Sequence, residues 1–207
     1  MNNIKLIRDY LDELIPNPLC ELKFNNDYEL LIAIVLSAQT TDKRVNMVTD
    51  VLFNKYKTLK ELSIAKITDI EEILRPLGSF RKKAIYVSQI ANILLKEYNG
   101  IVPKEREQLE KLPGVGRKTV SVFLCEYYNY PEFAVDTHVY RVSKRLNITK
   151  LNDDVVKTEN KLKKVFEKDE WGRRHKQLVL FGRYYCKAIK PNCSNCKLSN
   201  ICKKNKV

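Results

Sequence analysis

Leu112-Pro113-Gly114-Val115-Gly116-Arg117-Lys118-Thr119 sets two glycines one residue apart between two helical patterns, at roughly 104 to 111 and 117 to 127. Glycine reaches positive φ without a Cβ penalty and leaves no side chain in the way of an approaching ligand, so the stretch reads as a tight link between helices. The N–H groups freed at the start of the second helix, helped by its dipole, make an anion site. Gly114, Val115, Gly116 and Arg117 are its candidate contacts. Lys118 lies in the first turn of that helix, where the dipole and Arg117 disfavour further positive charge, and an amine so placed can form a Schiff base with a carbonyl-like carbon. Gly-x-Gly turns commonly do no more than join helices and lysines are commonly just solvated, so the rest of the chain has to decide.

Outward from this turn, apolar spacing of period 3.6 dominates and no alternating strand pairs are found, so the chain is expected to be all-α. Thr58 with Glu61 and Thr68 with Glu71 read as capping boxes that begin two short helices, the second ending before Pro76. A longer helix is predicted over Phe80 to Tyr98, with Ala84, Ile85, Ile90 and Leu94 facing inward and Asn99-Gly100 as its stop. Further helices are expected after Asp136, after Asn152 with Asp153 and Asp154 in the first turn and Val155, Leu162, Val165 and Phe166 inward, and over Trp171 to Tyr185. Leu30 to Leu36 is a seven-residue apolar run that could be a buried strand. With no partner strand nearby it is read as a buried helix.

The 207 residues, 44% of them hydrophobic, suffice for a buried core, and no run approaches a membrane span. Met1 to Asp12 holds acidic residues and no apolar block, so an intracellular protein is expected. The net charge of +13 is unevenly placed: nineteen basic residues balance nineteen acidic ones up to Tyr140, and nineteen face six from Arg141 onward. A one-signed field of that size suits a polyanion, although a solubility device would look the same.

Six cysteines in a reducing compartment suggest metal or catalysis rather than disulfides. Cys20 and Cys125 stand alone in apolar surroundings and read as core residues. Cys186, Cys193, Cys196 and Cys202, separated by six, two and five residues, can wrap one metal centre with four thiolates. Zinc sites usually pair two short hooks and only Cys193-x-x-Cys196 is one, so the spacing suits a larger cubane better, with zinc and free thiols as competitors. Lys187, Lys190, Lys197, Lys203 and Lys204 crowd this loop, as befits a surface facing phosphates. In Val135-Asp136-Thr137-His138, Asp136 is by default an N-cap, but a carboxylate facing an amine could also move protons and stabilise a developing cation.

Taken together, Leu112 to Thr119, Val135 to His138, the tract Leu30 to Asp42 ending Ser37-Ala38-Gln39-Thr40-Thr41-Asp42, and the cysteine spacing resemble the endonuclease III family, in order and over nearly the whole chain. The resemblance implies a helix-hairpin-helix DNA glycosylase of the bifunctional kind, excising oxidised pyrimidines from double-stranded DNA and nicking the abasic site by β-elimination through a Lys118 Schiff base. It implies two helical domains: a barrel over 21–131 with its hairpin at about 104–127, and a cluster domain of 1–20 with 132–207 that carries one 4Fe-4S cluster on loop 186–202. DNA is expected in a cleft with Lys118 on one wall and Asp136 on the other, and Gln39 filling the space a flipped base leaves. Lys187 and Lys190 are taken as further DNA contacts and a monomer is expected, nucleoid-associated if the source is bacterial. The family commonly has an apolar wedge after the glycine matching Gly78, where this chain has Ser79, so either Phe80 or Arg81 takes the role or unstacking of the opposite strand is weaker, which leaves damage range and opposite-base preference open. The related adenine glycosylases typically have serine at the position of Lys118, and a non-enzymatic iron-sulfur DNA-binding protein would need neither Lys118 nor Asp136.

Overall fold

The computed structural model describes residues 3–206; Met1, Asn2 and Val207, all within the expected cluster domain, lie outside the described residues. Among the described residues every regular element is helical and none is a strand. The chain divides into two compact units, Cys20–Tyr128 and Met1–Leu19 together with Asn129–Val207.

In the unit Cys20–Tyr128, α2 (Asp27–Leu36) buries nine of its ten residues. A run this apolar carries no face of its own; it is helical because α3 (Asp42–Lys55), α6 (Phe80–Glu97) and α8 (Arg117–Tyr128) surround it. Its start is locally specified. Asn26 accepts from the Glu29 N–H at 3.0 Å, and the buried Glu29 carboxylate accepts from the Asn25 N–H at 2.7 Å and the Asn25 side chain at 2.9 Å. The Thr58–Glu61 capping box is present at the head of α4 (Leu59–Ser63).

The Thr68–Glu71 box is not. In α5 (Ile67–Leu74) Thr68 is already helical and Lys66 takes the cap position, because placing Ile70 and Leu74 in the core sets the phase of the helix. In α6, Ala84, Ile90 and Leu94 are buried as expected, but Ile85 is 40% exposed and Val87 and Ala91 complete the stripe instead. Ile85 is one residue, about 100°, off that stripe. The helix stops where expected, with Asn99 at φ +53° and Gly100 at φ +80°. α7 (Arg106–Leu109) is shorter than 104–111, because Lys111 and Leu112 bond back three residues, to Gln108 and Leu109 at 3.2 and 3.0 Å.

The second unit holds α1 (Asn3–Leu14), α9 (Thr137–Arg145), α10 (Val155–Val165) and α11 (Trp171–Leu180), which continues as a π-helical turn over Phe181–Tyr185. Asp154 caps α10, accepting from the Lys157 N–H at 2.7 Å, and Asp153 lies outside the helix, so neither is in its first turn. Leu162 and Phe166 are buried and Val165 is half-buried, whereas Val155 is 49% exposed. Chain ends far apart in sequence meet here. Buried Arg174 donates to Asp12 at 2.7 and 3.0 Å and to Glu170 at 2.7 Å, while the Gln177 amide donates to the Leu11 and Ile15 carbonyls at the end of α1. Arg174's bonds to Asp12 first, then those that Gln177 and Arg173 also donate to it, hold the Asp12 carboxyl well below the usual carboxylate range.

Candidate functional site: a glycine hairpin, a capping aspartate and a cysteine loop

Gly114 carries the positive φ that the hairpin needs, +76°, and Gly116 does not adopt one. The two glycines therefore serve different ends. A Cβ on Gly114 would stand 2.6 Å from Cδ2 of Tyr86, the α6 ring on which the turn rests, whereas one on Gly116 meets nothing within 4 Å. Val115 is buried and its N–H bonds to the Leu112 carbonyl at 3.1 Å, so of the candidate contacts it is the one turned inward. Gly114, Gly116, Arg117 and Lys118 are exposed. Gly114→Ala is accordingly expected to cost roughly 2–4 kcal/mol, from left-handed strain plus overpacking. Gly116→Ala should change stability by no more than about 0.5 kcal/mol and weaken duplex binding. Denaturation midpoints and a DNA titration on both variants check this; equal stability of the two would sink the packing account.

Lys118 is the second residue of α8, and its amine has no hydrogen-bond partner among the described residues. Asp136 is the N-cap of α9: Oδ1 accepts from the Val139 N–H at 2.8 Å, and the aspartate is half-buried. Capping occupies one carboxylate oxygen, so Oδ2 keeps its capacity to accept a proton or face a cation.

The other end of α9 grips the cysteine loop. Arg141 donates to the Gly182 carbonyl at 2.7 Å and to the Cys186 carbonyl at 3.2 Å. Arg145 donates to the Lys187 carbonyl at 2.7 Å and to Cys186 Sγ at 3.3 Å. These contacts need α9 against the π-helical turn, where a Cβ on Gly182 would stand 2.8 Å from that of His138. One short helix thus connects Asp136 to Cys186. Neither arginine was singled out by sequence, since their acceptors are main-chain groups some 40 residues away and leave no local pattern.

The loop 186–202 folds by successive tight turns, Cys196 N–H to Cys193 O at 3.2 Å, Ser199 to Cys196 at 3.1 Å and Cys202 to Ser199 at 3.3 Å, anchored by fully buried Leu198. Among the described residues no three Cys, His, Asp or Glu side chains converge on one point as a single ion requires. Cys186, Cys193, Cys196 and Cys202 instead line one cavity of about 130 Å³, walled also by Tyr10, Leu14 and Phe181. Burial, and then the charges of the other three cysteines, push the Cys196 thiol up. Four cysteine side chains around a space larger than one ion, with Arg145 at one sulfur, fit a polynuclear cationic core that they would bind as thiolates. Within the loop Lys187 and Lys190 are exposed, and Lys197 is drawn away to Glu13 at 2.7 Å. Cys125 is buried, and Cys20 packs half-buried against the core of the unit Cys20–Tyr128, to which both belong.

Gln39 and Ser79 are both exposed and both left-handed, at φ +58° and +55°. Phe80, half-buried, carries the Arg81 guanidinium 5.1 Å over its ring, so the two candidates for the wedge are stacked on each other.

Comparison with known proteins bears on this set. Residues 32–168 match the model of the HhH-GPD superfamily of base excision DNA repair proteins. The chain is 39% identical to endonuclease III of Bacillus subtilis (strain 168) over 98% of its own length and 93% of the relative's. It is 41% identical to that of Haemophilus influenzae over 100% and 99%. Among solved structures it resembles, with a TM-score of 0.92 and 44% identity over 100% of this chain and 98% of the other, a trapped covalent intermediate of endonuclease III with DNA, an estranged-adenine complex.

Proposed function

This chain belongs to the HhH-GPD superfamily of base excision DNA repair proteins, among its endonuclease III members, and from that footing we propose that it excises oxidised pyrimidines from duplex DNA and then cleaves the abasic site. It is a DNA glycosylase of base excision repair. The observation that carries the second step is Lys118, exposed in the first turn of α8 and without a hydrogen-bond partner among the described residues, directly behind a left-handed glycine turn.

In this reading Cys20–Tyr128 is the barrel domain and the other unit the cluster domain. The hairpin's amides hold a backbone phosphate, whose charge the helix dipole favours. Extruding the damaged nucleotide costs a few kcal/mol, less than for an intact pair. The Lys118 amine attacks the sugar C1′, the C1′–N bond breaks, and the departing base takes the bonding electrons and a proton. Loss of an N–H proton from the adduct then frees an electron pair on the Lys118 nitrogen, which forms the imine as the C1′–O4′ bond breaks and O4′ takes up a proton; the imine acidifies the C2′ protons. Removal of one expels the 3′ phosphate and leaves a nicked strand. Asp136 supports the cation that develops at C1′ and relays protons.

Cys186, Cys193, Cys196 and Cys202 would hold one 4Fe-4S cluster. Bound there, it supplies thiolate-to-iron bonds that brace a basic loop carrying Lys187 and Lys190 toward DNA, and no chemical step needs it. Metal analysis of aerobically purified protein should return about four irons per chain with brown absorbance. Cys196→Ser should lose the colour and weaken duplex binding; a colourless wild type holding one zinc overturns the cofactor.

The enzymatic reading is tested with duplexes bearing thymine glycol or an abasic site in the presence of borohydride, which reduces an imine to a stable amine. A covalent protein–DNA adduct is the expected product. Absence of adduct on both substrates removes the lyase.

A further inference from the structure

Lys83, on the first turn of α6, is 5% exposed, and its ammonium donates to the Ala38 carbonyl at 2.8 Å. No carboxylate lies within ion-pair distance of it among the described residues, and burial pushes its pKa down. An ammonium buried on one carbonyl is costly, and an apolar side chain of the same length would fill the space at less expense. What Lys83 does with that position is to tie two loops together. Its own N–H bonds to the Ser79 carbonyl at 3.1 Å, and its side chain reaches the carbonyl immediately before Gln39. Ser79 and Gln39 are the two left-handed, exposed residues described above. Left-handed backbone outside glycine costs of order 1–3 kcal/mol and persists only where its surroundings hold it. Within Ser37–Thr40 the Thr40 N–H bonds to the Ser37 carbonyl at 3.2 Å and Ser37 Oγ donates to the Ile34 carbonyl at 2.7 Å, but the Ala38 N–H reaches Val35 O only at 3.5 Å and Thr40 Oγ1 is buried without a partner among the described residues, so Lys83 adds a tie from outside the loop.

We propose that Lys83 is a positioning residue for lesion extrusion: it locks the Gln39 loop to the Ser79 turn, so that both enter the duplex at one fixed spacing. This rests on the reading above that these loops engage DNA. Lys83 touches no substrate atom and acts through Gln39.

The test compares Lys83→Met, Gln39→Ala and the double variant in the full-length protein. It reads kcat/KM on a thymine glycol duplex, the fluorescence of 2-aminopurine placed opposite a stable abasic analogue, and the thermal midpoint. Lys83→Met is expected to lower kcat/KM on the order of tenfold, since small misplacements of positioning groups have effects of that size or more. The 2-aminopurine signal should fall with it and the thermal midpoint should stay within a few degrees. The double variant should then be no worse than the worse single one. Lys83→Gln, which keeps a donor for the Ala38 carbonyl, should recover part of the loss and also covers the case in which methionine disturbs folding. Wild-type behaviour of Lys83→Met beside an impaired Gln39→Ala overturns the inference alone. So do losses that add in the double variant and track a lowered midpoint, because they mark a purely structural lysine. An unimpaired Gln39→Ala overturns the DNA-engaging role of the loop, and the inference with it.

Discussion

Lys118→Gln is expected to abolish covalent capture of DNA and to lower strand cleavage at abasic sites roughly a thousandfold or more, the scale on which removing a nucleophile acts. Glutamine keeps the length and polarity of the side chain but has no amine that can form an imine. Because Lys118 is exposed on a helix surface and no bond is lost with it, stability should move by no more than about 0.5 kcal/mol. Duplex binding should survive, held by the hairpin. A borohydride-trapped adduct that persists in Lys118→Gln would assign the nucleophile elsewhere.

Asp136→Asn separates two roles that one side chain can combine. Asparagine caps helices as well as aspartate does, so the bond from the Val139 N–H to Oδ1, and with it the thermal midpoint, should be retained. The charge and the proton-accepting oxygen are lost, and turnover should fall by roughly two to four orders of magnitude with binding intact. Asp136→Ala adds loss of the cap, about 1 kcal/mol. Turnover of Asp136→Asn equal to wild type would leave this residue a cap and nothing more.

These predictions rest on residues legible in the sequence, because each is fixed by local chemistry. A cap is a contact three residues long, so Asp136 and the Thr58–Glu61 box could be read directly. The stop at Asn99-Gly100 was readable for the same reason. Thr68–Glu71 has the same local form and failed, because the burial of Ile70 and Leu74 set a different helix phase. Ile85 and Val155 failed likewise: hydrophobicity marked them as core, but the face that a helix turns inward depends on what packs against it.

The residues missed share one property. Tyr86 under Gly114, Lys83 on Ala38, and Arg141 and Arg145 on the cysteine loop each meet partners 28 to 45 positions away, mostly backbone groups. A main-chain carbonyl has no residue type, so no spacing announces it.

By itself, then, the sequence determined that the chain is helical, where its hairpin and caps lie, and which residue types could carry an imine, a proton and a cluster, since these depend on short-range geometry and intrinsic reactivity. Only the tertiary structure decided that Gly114 and Gly116 differ, that one helix joins Asp136 to Cys186, and that a buried lysine ties Gln39 to Ser79. Those are matters of which surfaces exclude water together, and that is settled when the chain packs.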